Sequence, residues 1–156
     1  MVKGRWGGAK SDGNWRCRWV GKEFRALDPG REGLYTPSGS SETSCLIDVI
    51  ALRNGWSSRI GDASNAYWHV PELEAVWMDA PPELLERRAA AGLSCVGLLR
   101  LRRKMYGKRD ASVGYYDFVC GLLIPRGYRR CLQRPTFFCH IEEEVILEIY
   151  QDDVHT

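Results

Sequence analysis

The sequence predicts an α+β fold in which an antiparallel sheet packs on helices. Three observations carry this. An apolar run from Val145 to Tyr150 follows Phe137, Phe138, Ile141 and the polar triplet Glu142-Glu143-Glu144, which is the pattern of a hairpin. Ser40 or Ser41 can cap a helix running to about Asn54, with Gly55 to stop it. A second helix, capped by Asp110, carries the stripe Val113, Tyr116 (or Tyr115), Phe118, Val119, Leu122 and Leu123 and stops at Pro125.

The 156 residues are one domain's worth of chain, enough to bury a core. Residues 1–14, rich in Gly, Lys and Ser, read as a flexible arm ahead of a domain over 15–156. A net charge of +2 is too small to imply nucleic acid, so any such argument rests on where the charges lie. No long apolar stretch opens the chain. Neither a signal peptide nor a transmembrane segment is expected, and the expected location is intracellular, cytoplasmic or nuclear, with no membrane partner. The six cysteines form no Cys-x-x-Cys pair and read as reduced, mostly buried thiols. Cys131, Cys139 and His140 lack a second pair at zinc-ligand spacing, so core packing is their expected role.

In chain order, Trp15 to Phe24 sets Arg16, Arg18 and Lys22 against Cys17, Trp19, Val20 and Phe24, a strand with one cationic face. Residues 25–40 are a turn-rich connector with Pro29, Gly30, Gly33, Pro37 and Gly39. The helix that follows has Cys45, Leu46, Val49, Ile50 and Leu52 as its apolar stripe, expected to pack beneath a sheet. Ile60 to Asp62 is a strand with Asp62 at its end, turning into a short helix with Tyr67 and Trp68. Taken by themselves, those two are core aromatics. Glu74 to Met78 is a short strand. Pro81-Pro82-Glu83 starts a helix through about Ala91, ended by Gly92. Val96 to Met105 is strand-like and carries Arg100, Arg102, Arg103 and Lys104, with Lys108 and Arg109 beyond. Such dense like charge is either a solvated face or, with Tyr106 and Gly107 beside it, a track for a nucleic-acid backbone. Arg126, Arg129, Arg130 and Arg134 make a second basic cluster around Tyr128.

Two aspartates, Asp152 and Asp153, end the last apolar run. Asp is poor inside strands and good in turns, so they belong to a tight turn. Alone, they are a solvated loop. A strand-end Asp62 combined with a turn bearing Asp152 and Asp153 is what a two-metal phosphoryl-transfer site needs, its ions about 3.5–4 Å apart.

These residues carry a family resemblance. Tyr150-Gln151-Asp152-Asp153 resembles the Tyr-x-Asp-Asp box of reverse transcriptases. Asp62-Ala63-Ser64-Asn65-Ala66-Tyr67-Trp68-His69 resembles the Asp-Val-Ser-Asn-Ala-Phe-Leu-His segment of copia-type LTR-retrotransposon polymerases. In the same order, Arg18-Trp19-Val20-Gly21-Lys22-Glu23-Phe24 resembles Arg-Leu-Val-Ala-Lys-Gly-Phe, and Tyr35-Thr36-Pro37 stands where that family has Phe-Ser-Pro. Val76-Trp77-Met78 with Pro81-Pro82 resembles Val-Tyr-Met with Pro-Pro-Gly, Met105-Tyr106-Gly107 resembles Leu-Tyr-Gly, and Tyr115-Tyr116 resembles Trp-Tyr.

The resemblance implies a right-hand polymerase fingers and palm fragment that ends just after the Tyr-x-Asp-Asp turn. It implies RNA-directed DNA synthesis on an RNA or DNA template-primer from deoxynucleoside triphosphates, within a polyprotein that also supplies thumb, RNase H and integrase. Catalysis would fall to Asp62, Asp152 and Asp153. Two Mg²⁺ ions, with Mn²⁺ as the alternative, would be held by Asp62, Asp152, the Ala63 carbonyl and, less directly, Asp153. Arg18 and Lys22 would reach the triphosphate, Tyr67 would lie beneath the sugar, and Asp110 would stand at the nucleotide position where the family has Gln. Template contacts would come from Arg100, Arg102, Arg103, Lys104, Arg129 and Arg130. The chain departs from the family at Val70, Asp110 and Val113, where the family has Gly, Gln and Arg. Asp110 is expected to repel a triphosphate, and the return strand after Asp153 is expected to be nearly absent and frayed. On those grounds the fragment as it stands is expected not to extend a primer. The alternative reading is an inactive retrotransposon remnant or a nucleic-acid-binding fragment.

Overall fold

The structure, a computed structural model, describes every residue but Asp12, together with the side chains of all the others except Ala9, Lys10, Ser11 and Leu27. The fold is α+β with antiparallel sheets. In order it runs β1 (Lys3–Ser11), β2 (Asn14–Lys22), α1 (Ser41–Asn54), β3 (Ile60–Asp62), β4 (Trp77–Asp79), α2 (Pro82–Ala90), β5 (Leu98–Arg100) and α3 (Ala111–Leu123). Four strands follow: β6 (Arg129–Arg130), β7 (Phe137–His140), β8 (Val145–Tyr150) and β9 (Asp153–His155). Two compact units share the chain, one of Met1–Leu34 with Tyr67–Ala111, the other of Tyr35–Ala66 with Ser112–Thr156. Among the described residues no helix is long and apolar enough to cross a membrane.

In the first unit the expected arm is instead a strand. β1 pairs antiparallel with β2 from Lys3 opposite Lys22 to Ser11 opposite Asn14; Asp12, also in the expected arm, lies outside the described residues. Gly4, Gly7 and Gly8 hide this strand from a propensity reading, because glycine is depleted in strands. Gly4 is also required by packing, since a Cβ there would overlap the Trp19 indole. A second antiparallel pair joins β4 and β5, which are separated in the chain by α2, with Trp77 opposite Arg100. The expected strand over Val96–Met105 shortens to β5, and single hydrogen bonds carry the ladder on, Leu101 N to Val76 O and Lys104 N to Val70 O, each 2.9 Å. Gly107, at φ 83°, brings its backbone against Gly21, while Gly21 N donates to Tyr106 O at 2.8 Å. No residue with a Cβ fits that approach, which locks the Met105-Tyr106-Gly107 segment to the end of β2.

The second unit is a five-stranded sheet of order β3-β9-β8-β7-β6, antiparallel throughout. The hairpin between β7 and β8 is as expected, turning through residues 141–144 with Glu144 at φ 52°. Leu147 and Ile149 alternate to one face, where Phe138, Tyr116 and Cys120 of α3 complete a buried cluster with Val119 and Leu123 against it. Glu148 points the other way. It is fully buried, and its carboxylate accepts from the Ser40 amide (3.0 Å) and the Ser44 hydroxyl (2.8 Å), fastening the start of α1 to the sheet. Both ends of α1 follow from sequence: Ser40 Oγ accepts from the Thr43 amide, and Gly55 closes it at φ 68°.

The face of α1 is a correction. Thr43, Ile47 and Ala51 are buried, whereas Cys45, Leu46, Val49 and Leu52 of the expected stripe are exposed and Ile50 is half-buried. Glu148 selects that face, because Ser44 and the helix start must turn toward a buried carboxylate. Substituting Glu148→Ala leaves two donors unpaired and is expected to cost about 1.5–3 kcal/mol, read as a lowered urea midpoint for the second unit. The cysteines are a second correction: all six are free, but only Cys120 is buried, and Cys17, Cys45 and Cys95 are exposed.

Candidate functional site

The two ends of β8 and β9 meet at a two-residue turn. Tyr150 is opposite Asp153, and Gln151 and Asp152 form the loop between them. Gln151 is at φ 56°, and a positive φ at the first central position alone is the type II′ pattern that suits the twist of flanking strands. On its other side β9 pairs with β3, Asp153 directly opposite Asp62 and Val154 opposite Gly61. The Ala63 amide donates to the Asp152 carbonyl at 2.8 Å. Residues about ninety positions apart in sequence are thus joined at one end of one sheet.

Directly opposed residues of an antiparallel pair share a face with Cβ atoms about 4.5–5.5 Å apart, and like charges there repel. Asp62 and Asp153 are exposed and Asp152 is half-buried. Asp62 and Asp153 thus fit a hard divalent cation by donor chemistry, all-oxygen and doubly negative. Among the described residues no three His, Cys, Asp or Glu side chains are gathered as a metal-holding group. Asp152, expected as the principal partner of Asp62, takes the turn position, and the cross-strand place belongs to Asp153.

The return strand is the main correction at this site. Far from being nearly absent, β9 is paired on both sides and held at its end: Arg59 and Thr156 exchange hydrogen bonds of 2.6 and 2.9 Å. His155 Nε2 meets Ser58 Oγ at 2.9 Å and Asp48 Oδ1 at 3.1 Å. That trio, unnoticed in sequence, resembles a nucleophile triad in residue type only. A triad puts the acid on the imidazole nitrogen opposite the nucleophile, whereas here Ser58 and Asp48 share one nitrogen. Its consequence is mechanical: it ties β9 to α1.

The first unit holds the remaining expected residues. Arg18 is exposed, and its guanidinium lies 4.8 Å from the centre of the Tyr106 ring, with the Tyr67 ring 4.6 Å from Tyr106 on centroids. Lys22 is half-buried at the end of β2. Arg100, Arg102 and Arg103 are exposed, Arg103 donating to the His69 carbonyl at 3.0 Å. In the second unit Arg129 and Arg130 are exposed on the edge strand β6, Arg130 reaching the Tyr116 hydroxyl at 3.4 Å.

Lys104 and Asp110 depart from expectation. Lys104 does not lie on a solvated cationic face; it donates to Glu72 at 2.9 Å and to Asp110 at 2.6 Å, with 12% of its side chain exposed. Glu72 is fully buried and also pairs with Lys108, itself 1% exposed. Arg31 joins Asp110 (3.0 Å) to Glu23. Three carboxylates and three cations thereby close a buried cluster, and the charge on Asp110 is spent within it rather than facing a triphosphate. Asp110 therefore does not turn its carboxylate to α3 as a cap. Asp110 Oδ1 has no hydrogen bond, only the Lys108 ammonium at 3.4 Å.

Burial pushes the Glu72 carboxyl up, but hydrogen bonds and charge from Lys108 and Lys104 outweigh this and hold it below its ordinary value. Asp110 is likewise raised by burial and then lowered on balance by Lys104, Lys108 and Arg31. Burial lowers Lys104 and Arg31, and their carboxylate partners raise both on balance. A depressed carboxyl contributes stability that is present above its unfolded value and lost as pH falls through its folded one. The raised cations contribute stability lost only as pH rises beyond their ordinary values. The first unit should therefore hold its urea midpoint from neutral pH down to about 4 and lose it below. Glu72→Gln should flatten that acid limb, and an unchanged limb would remove the cluster as its cause.

Searches of family models, curated proteins and solved structures each found no match to this chain.

Proposed function

We propose that this chain is the fingers and palm portion of a copia-type reverse transcriptase, an RNA-directed DNA polymerase that transfers a nucleotide from a deoxynucleoside triphosphate to a primer 3′-hydroxyl. The observation that supports this best is the register of Asp62 against Asp153 beside the Asp152 turn, which brings Asp62 to the adjacent, sequence-distant pair Asp152 and Asp153 at one end of an antiparallel sheet. The ordered sequence resemblance supplies the family. Asp62 and Asp153, with Asp152, would hold two Mg²⁺ or Mn²⁺ ions. When bound, those ions supply the positive charge that acidifies the primer hydroxyl and stabilises the transferring phosphoryl group. The protein's own part is positional: β3 and β8 hold β9 from both sides and the His155 clasp fixes its end, so the carboxylates are presented without fraying.

A second reading, a nucleic-acid-binding fragment without catalysis, is favoured by one observation. Asp110, at the family's Gln position, is consumed by Lys104 and Arg31 and offers nothing to a nucleotide. Primer extension on a homopolymer RNA template with Mg²⁺ or Mn²⁺ separates the two. Incorporation that vanishes in Asp62→Asn is the result expected of a polymerase; template binding with no incorporation in either metal favours the second reading.

A further inference from the structure

The face of the β1–β2 ribbon that carries its paired tryptophans is hollowed beside α2. Trp15, Cys17 and Trp19 alternate to one face of β2, and Trp6 and Gly8 stand opposite Trp19 and Cys17 on β1. The Trp6 and Trp19 rings meet edge to face at 5.3 Å, while the Gly8–Cys17 step next to them carries one small side chain. No residue of α2 is buried, so this helix stands off the ribbon rather than closing onto it. A cavity of about 620 Å³ remains, lined by Trp6, Cys17, Pro81, Glu83, Leu84 and Arg87, all of the first unit. Its polar groups are few and unequally engaged. The Trp6 indole donates to both oxygens of Glu83, at 3.1 and 3.0 Å, which fixes the ring before any ligand enters. Arg87 lies four residues beyond Glu83 on α2, a spacing at which the two would ordinarily pair. Here the carboxylate is taken by the indole. Arg87 is exposed and, among the described residues, has no carboxylate partner.

We propose that this cavity binds a small planar aromatic monoanion, a carboxylate or sulfonate. Its ring would lie against Trp6, Pro81 and Leu84, and its charge would meet the Arg87 guanidinium. The volume falls within the roughly 300–1,000 Å³ of small-molecule sites, and an apolar lining with a few polar groups is their usual chemistry. Pinning Trp6 in advance lowers the ordering cost of binding. The guanidinium fork matches a carboxylate with two parallel hydrogen bonds. Glu83, at the same rim, repels any further negative charge, so a nucleoside triphosphate or a nucleic-acid backbone does not suit the cavity. Cys17, an exposed free thiol in the wall, has no chemical part and serves as a reporter of occupancy. No residue of the cavity has a catalytic, nucleotide or template role in the polymerase reading, and the carboxylate hairpin takes no part.

The test is calorimetric titration of the full chain with 2-naphthoate, with the neutral 2-naphthamide and the cationic 2-naphthylmethylammonium as matched ligands, and with Arg87→Gln and Cys17→Phe as variants. Both replaced side chains are exposed, and an unchanged thermal melt verifies the fold. Wild type should bind 2-naphthoate saturably. The amide, and Arg87→Gln with 2-naphthoate, should each bind at least about tenfold more weakly, the scale of one charge-assisted hydrogen bond. Cys17→Phe fills the cavity and should abolish binding. In wild type, 2-naphthoate should also slow iodoacetamide alkylation of Cys17 and leave that of Cys45, exposed in the second unit, unchanged, as read by peptide mass spectrometry. Equal affinity of wild type and Arg87→Gln overturns the proposal, as does equal or tighter binding of the amide, the ammonium or ATP. Absence of any 2-naphthoate binding at millimolar concentration, or a Cys17 alkylation rate that bound 2-naphthoate leaves unchanged, overturns it as well.

Discussion

Glu72→Ala will unfold much of the first unit, costing about 3–5 kcal/mol, because it strips the buried Lys108 of its closest counter-charge and leaves Lys104 with Asp110 alone. A loss of that size is a large share of the roughly 5–15 kcal/mol by which an ordinary domain is stable. The cluster also makes an asymmetric demand. Lys108→Met should cost less than Glu72→Ala, since Glu72 keeps Lys104, Asp110 keeps Lys104 and Arg31, and a thioether suits a site with 1% exposure. Denaturant midpoints for the two variants, side by side, decide it. Equal or reversed losses would mean that the cluster is not the anchor of this unit.

The second large effect concerns the carboxylate hairpin. If Asp62 and Asp153 form the opposed pair, Asn at either position halves the negative charge across the strand pair without changing shape. Metal-dependent nucleotide incorporation should then fall by at least about a hundredfold in both, the scale expected when charge stabilisation of a transition state is removed. Asp152→Asn tests the sequence-based order of importance directly. A larger loss at Asp152 than at Asp153 would show that the turn side chain swings in and carries the site. Equal or greater loss at Asp153 follows from the strand register.

The parts legible in sequence are those fixed by short-range chemistry. The ends of α1 follow from Ser40 and Gly55, the start of α2 from Pro82, and the β7–β8 hairpin from its alternation and polar turn. The aspartate turn was legible for the same reason, aided by resemblance. What stayed hidden depends on partners far along the chain. The three residues of β9 are too few for any periodicity, and their pairing on both sides is decided by β3 and β8. The buried face of α1 is chosen by Glu148, about a hundred positions away, which overrides the more apolar stripe of Leu46, Val49 and Leu52. Charged residues read as solvated until their partners are known. Glu72, Lys104, Lys108, Asp110 and Arg31 come from three separate stretches, and the one local sign of their burial is Asp110 standing alone among Lys104, Lys108 and Arg109. β1 escaped because its glycines suppress strand propensity while the twist and register of β2 supply the pairing.

Divalent-cation binding at the hairpin is the point on which the account turns, and Mn²⁺ titration followed by electron paramagnetic resonance reads it without requiring turnover. Wild-type protein should bind Mn²⁺ saturably and release it to excess Mg²⁺, and Asp62→Asn and Asp153→Asn should each lose most of that affinity while keeping the same thermal melt. Mn²⁺ binding of equal strength in wild type and in both variants would contradict the assignment of these aspartates as a metal centre, and with it the polymerase reading.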